Sequence, residues 1–179
     1  MNVLQAYDFL NKLTEGKADY IDKYKKYLRA HSKKVKRQAN WLKKNLPELF
    51  DDVDLDAFDE VIEEHDSTKF SDEELEPYAR EWSTGEKGFE YDEARKHHIA
   101  NNEHHPEHWL GENIPYIYIL EMLCDWAVEA DGIENLSDYY KEKIEADEEE
   151  DLSEDTKNTI EEIINKINSF LKEKKTGDD

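Results

Sequence analysis

Four residues define the chemistry open to this chain: His31, His65, Asp66 and Asp125. His65 and Asp66 are adjacent, His31 lies 34 residues upstream, and Asp125 lies about 60 residues downstream. Each falls on or beside an apolar helical stripe, where an ionisable group is costly unless something binds it. Neutral imidazole together with carboxylate suits divalent first-row metals such as Mn, Fe, Co, Ni or Zn. No thiolate accompanies the four, which argues against a structural zinc site of the finger type. A His-Asp pair at a helix end, joined by a histidine and an aspartate from two other helices, would leave a coordination position for water whose pKa the ion lowers. Between the pair and Asp125 lie His97, His98, His104, His105 and His108, enough imidazole for a second ion.

These residues need helices to hold them, and the pattern supplies helices throughout. Gly and Pro are scarce, 6 and 4, and no alternating strand pattern occurs. From about Asp19 to Leu46 the residues Ile21, Tyr24, Leu28, His31, Val35, Gln38 and Leu42 recur at spacings of three and four. They form one face of a long helix that Pro47 stops. Asp54 is a candidate N-cap for a second helix whose inner face carries Leu55, Phe58, Val61 or Ile62, and His65, ending at or just after the His-Asp pair. Ser71 and Glu74 have the spacing of a capping box opening a helix to about Trp82. Residues 83–88 read as a loop, and Phe89 to about Asn102 as a helix with Tyr91, Ala94 and His98 on one side, interrupted by Pro106. Ile114 to about Ala130 is apolar nearly all round, the expected central helix, with Asp125 as its exception. The acidic run Glu145, Asp147, Glu148, Glu149, Glu150 and Asp151 is expected to be a solvated loop, followed by a packing helix over roughly 153–172.

The expectation is a single all-α domain spanning residues 1–179, a bundle of about 6–8 helices. Its metal-site core would cover about 19–130, and an acidic loop with a C-terminal packing helix about 133–173. Charged residues make up 39% of the chain and the formal net charge is −22, which disfavours long nucleic acids and anionic membranes as partners. The single cysteine, Cys124, allows no internal disulfide and sits in an apolar run as a buried thiol. No segment reads as a signal peptide or a membrane span, so a cytoplasmic protein is expected, phage-encoded or cellular, with homodimerisation left open.

The ordered set His31…His65-Asp66…Asp125 resembles the HD-domain superfamily, helical metal-dependent phosphohydrolases defined by H…HD…D. The resemblance covers roughly residues 19–130. The flanking motifs, His65-Asp66-Ser67-Thr68-Lys69-Phe70-Ser71, His97-His98-Ile99-Ala100-Asn101-Asn102-Glu103-His104-His105 and Cys124-Asp125-Trp126, are closer to a small bacterial and phage family within or near it, for which little function is established. The resemblance implies an HD-type bundle, one or two divalent ions, and His31, His65, Asp66 and Asp125 as ligands. The nucleotidase branch often has Glu three positions after the Asp; here Lys69 stands there. That arrangement is similar to the two-metal branches, cyclic-dinucleotide phosphodiesterases and inositol-type di-iron oxygenases, in which the lysine faces the substrate. Those branches also insert two histidines before the last Asp. His98 and His105, seven apart, fit one helical face if the helix continues that far, and His97 and His104 share the spacing. His104 and Asn102 are further candidates for contact with substrate or ligands.

The leading expectation is therefore a phosphohydrolase that uses metal-activated water on a small phosphorylated metabolite, foremost a nucleotide. Asp66 would serve catalysis, and Lys69 would neutralise the phosphate. Two rival classes stand beside it: a di-iron oxygenase on the same scaffold, and a non-enzymatic acidic binding or inhibitory protein with a structural metal site.

Overall fold

The computed structural model describes residues 3–145 and 152–176, with side-chain surroundings from residue 16 onward. Among the described residues every regular element is helical. The α-helices are α1 (Val3–Asn45), α2 (Leu55–Glu64), α3 (Leu75–Thr84), α4 (Phe89–Ala100), α5 (Pro106–Trp109), α6 (Tyr116–Glu129), α7 (Leu136–Glu145) and α8 (Glu154–Thr176), with short 3-10 turns at Pro47–Phe50, Ser67–Phe70 and Ile133–Asn135. The fold is all-α. No described helix is long and apolar enough to cross a membrane. The helices pack as two compact units: the smaller holds the chain up to Ala30 and Asp66–Asn101, and the larger holds His31–His65 and the chain from Asn102 onward.

In the larger unit, α1 turns Val35, Ala39 and Leu42 inward at spacings of four and three. Pro47 cannot continue the helix and opens the 3-10 turn that buries Leu49 and Phe50. Asp54 caps α2 as its sequence position suggests: its Oδ1 accepts from the Asp56 and Ala57 amides at 3.0 and 3.2 Å. Phe58 and Ile62 then face the core, where Phe58 packs on Phe50 with ring centres 5.1 Å apart. The most buried helix is α6, with Ile119 to Cys124, Trp126 and Ala127 all inside. The helix α8 adds Ile160, Ile163, Ile164 and Ile167. Each such side chain contributes roughly 1.5–3 kcal/mol on burial.

In the smaller unit, Tyr24 and Leu28 of α1 pack with Ala79 of α3, supported by Tyr20, Ile21, Leu75 and Tyr78. Helix α3 ends at Gly85, which adopts φ +71 as a left-handed cap.

Several local expectations change. Residues 71–74 form no capping box. Glu74 is itself the N-cap residue of α3 and makes no side-chain cap bond, because its carboxylate is drawn inward by imidazoles. Helix α4 ends at Ala100 rather than Asn102, so no single helix carries both His98 and His105. Residues 136–145 form α7, an element absent from the sequence reading, with Leu136 and Tyr140 one turn apart on its buried face. Of the acidic run, Glu145 lies in α7, and Asp147, Glu148, Glu149, Glu150 and Asp151 lie outside the described residues.

Candidate metal centre

Three side chains of the larger unit converge from three segments. His31 comes from α1, His65 is the C-cap residue of α2, and Asp125 lies on α6. His31 shares its helical face with Val35, so the packing that buries Val35 also turns the imidazole inward. Separations are 3.3 Å between His31 Nε2 and His65 Nε2, 2.9 Å from His31 Nε2 to Asp125 Oδ1, and 3.6 Å from His65 Nε2 to Asp125 Oδ1. A circle through the three atoms has a radius of about 1.9 Å, just under the ~2.0–2.2 Å of metal bonds to imidazole nitrogen and carboxylate oxygen. His31, His65 and Asp125 would hold such an ion through these three atoms. The His65 side chain is fully buried, whereas His31 and Asp125 are 11% and 14% exposed, so the group is reached from their side. The donor set and its spacing fit a divalent metal.

Behind His65 stands a buried carboxylate. His65 Nδ1 lies 2.9 Å from Glu121 Oε1, and His104 Nδ1 approaches the same oxygen at 3.2 Å. Glu121 precedes Asp125 by one turn of α6, so both carboxylates ride on one rigid element. Burial works against the Glu121 charge, but hydrogen bonds from His104 and His65 outweigh it and hold the carboxyl below the ordinary range. His65, His104 and Glu121 thus form a second group that could hold a metal ion, sharing His65 with the first. Next to Asp125, burial pushes the Cys124 thiol well up, leaving it protonated.

The smaller unit has its own buried polar cluster. Asp66 is held in the left-handed region at φ +60, and its Oδ2 accepts from Lys69 Nζ at 2.8 Å. His98 Nε2 lies 3.2 Å from Asp66 Oδ1, and His98 Nδ1 lies 3.0 Å from Glu74 Oε2. Glu74 is completely buried; it also binds His97 Nδ1 at 2.7 Å and accepts from the Thr68 hydroxyl at 3.0 Å. Burial opposes its charge, yet the bonds with His98, His97 and Thr68 prevail and its carboxyl is lowered. Lys69 Nζ also lies 5.5 Å over the Tyr78 ring. Burial foremost pushes the phenols of Tyr24 and Tyr78 well up, so both remain protonated donors.

Residues 20–166 match a family of unknown function, DUF5662. The chain belongs to that family. No curated protein and no solved structure matches it. The DUF5662 segment contains every side chain of both clusters.

The remaining sequence candidates in this DUF5662 chain are placed as follows. His98 rather than His97 is the buried member of its pair, as the stripe through Ala94 suggests. His104 is buried and bound to Glu121, while its neighbour His105 is the half-buried N-cap residue of α5, with Nδ1 3.9 Å from Glu107. Asn102 is buried and its carbonyl accepts from the His105 amide at 3.3 Å. The sequence reading missed Glu121 and Glu74. Glu121 had a signal: a carboxylate in the most apolar run, one turn before the already conspicuous Asp125. Glu74 was masked by the local explanation that its spacing from Ser71 offered.

Proposed function

We propose that this chain is a metal-dependent phosphohydrolase acting on a small phosphorylated metabolite, with nucleotides as the foremost class. The observation that carries the reading is the convergence of His31 Nε2, His65 Nε2 and Asp125 Oδ1 within 3.6 Å of one another. The H…HD…D order that resembles the HD-domain superfamily supports it. His31, His65 and Asp125 would hold Mn, Fe, Co, Ni or Zn, all suited to two imidazoles and a carboxylate. The bound ion would supply activated water for attack on phosphorus.

The chain's own groups do the rest. Fully buried His65 anchors the donor set, and the partly exposed His31 and Asp125 face the side from which a ligand arrives. The resemblance to the two-metal branches gives Lys69, paired with Asp66 within the smaller unit, the part of a compact positive charge toward a phosphate. Asp66 is its counter-charge. The net charge of −22 repels anions at long range. The exposed Lys33, Lys34 and Arg37 follow His31 on α1 and oppose that repulsion locally.

The test is metal quantification on the purified full chain, followed by a phosphate-release screen over nucleotides and other phosphoesters. The reading expects at least one divalent ion per chain and turnover that a chelator abolishes. A protein that carries no metal, takes up none of the five ions and hydrolyses no phosphoester would refute it.

A further inference from the structure

The two units contain the same small device. In each, one buried glutamate receives two imidazoles through their Nδ1 atoms: His65 and His104 on Glu121, His98 and His97 on Glu74. In each, one of those imidazoles turns its other nitrogen to an aspartate: His65 Nε2 to Asp125 at 3.6 Å, and His98 Nε2 to Asp66 at 3.2 Å. Neither glutamate touches the Nε2 side. Both lie on or at the start of a packed helix, in α6 and at the N-cap of α3, so their positions are set by the fold.

A carboxylate oxygen is an acceptor only, so the nitrogen that faces it must bring a hydrogen. A neutral imidazole has one such hydrogen to give. Committing it to Nδ1 leaves a lone pair on Nε2. We propose that Glu121 is a positioning residue that fixes His65 in the Nδ1–H tautomer, so that it presents an unprotonated Nε2 to His31 and Asp125. For Glu121 the inference deepens the proposed metal site and rests on that reading for its consequence. The carboxylate orients the ring and raises the donor strength of the nitrogen that faces His31 and Asp125. His98 differs: its Nδ1 and Nε2 face Glu74 at 3.0 Å and Asp66 at 3.2 Å, so the same rule singles out neither nitrogen.

The test is nitrogen NMR of the histidine rings in the full-length, metal-stripped protein at about pH 8, above the usual histidine range. Wild type is expected to show His65 with hydrogen on Nδ1 and none on Nε2. Glu121→Met removes the acceptor without adding a charge and is expected to move the His65 hydrogen to Nε2. Glu121→Gln keeps an acceptor oxygen and should retain the wild-type tautomer of His65. Zinc titration on the same samples should show a 10–100-fold weaker Kd for Glu121→Met and a smaller loss for Glu121→Gln. Finding His65 in the Nε2–H or doubly protonated form in wild type would overturn the proposal, and that spectrum needs no variant to fold. An unchanged His65 tautomer in a folded Glu121→Met protein would also overturn it. Wild-type tautomers as expected with no zinc uptake would sink the metal reading while leaving the positioning role intact.

Discussion

Removing one donor from the triad has an effect that can be worked out in advance. The perturbation is Asp125→Ala, which deletes the carboxylate 2.9 Å from His31 Nε2 and 3.6 Å from His65 Nε2. A ligand that binds only the folded state, present at 100 times its Kd, stabilises by about 2.7 kcal/mol. For a chain of 179 residues, one kcal/mol moves Tm by roughly 2–4 °C. Metal should therefore raise the wild-type Tm by about 5–11 °C. Loss of one of three donors is expected to weaken binding at least ~100-fold, so the same metal concentration then equals Kd and stabilises by only about 0.4 kcal/mol. The rise should shrink to about 1–2 °C. The assay is a melt of each protein with and without metal. Taking the difference within one protein cancels whatever the substitution does to the metal-free fold. His108→Ala is the control, since that ring stacks beside Trp109 and belongs to neither group around His65. An equal metal-induced rise in wild type and Asp125→Ala, or no rise in wild type for any of the five ions, would show that Asp125 holds no metal here.

Three further outcomes follow from the same structure. The carboxyls of Glu121 and Glu74 lie below the ordinary range in the folded chain, so their stabilisation is complete above the unfolded value of ~4.3 and is lost as pH falls through the folded values; acid titration of the metal-free protein should show this, and Glu121→Gln with Glu74→Gln should flatten the decline. Leu123→Ala, at a fully buried position of α6, should cost about 2–5 kcal/mol in denaturant unfolding with an unchanged helical spectrum at low denaturant. Lys69→Met should lower kcat/KM for phosphoesters at least ~10-fold while metal content stays at the wild-type level, a split that separates substrate charge neutralisation from metal holding.

Much of the architecture could be read from periodicity because burial and helical repeat act together. The face through Val35, Ala39 and Leu42, the Asp54 cap and the apolar α6 are local patterns with local causes. His31, His65 and Asp125 were visible for the same reason: each is a polar exception on an otherwise apolar face. Distance in the chain hid the rest. Glu74 meets His98 across 24 residues and Glu121 meets His65 across 56, and no spacing rule encodes either pairing. Where a local rule did reach, it competed with tertiary bonds and lost. The Ser71–Glu74 spacing is that of a capping box, but two imidazoles and a threonine hydroxyl bind the carboxylate more strongly than backbone amides at a helix start. The end of α4 at Ala100 was likewise invisible to a count of seven between His98 and His105.

Glu121 and Asp125 stand one turn apart on α6, and this shapes how the gene can change. A substitution at either position alters one contact and leaves the other in place. A single-codon insertion or deletion between them rotates everything beyond it by about 100° and swings one carboxylate away from the other's side of the helix. Lineages can therefore vary α6 by replacement but not by length, whereas a change in length beyond Asp125 spares their register. In-frame insertions scanned along the chain should be silent in metal uptake at the exposed Gly85–Gly88 loop and abolish it within codons 122–125.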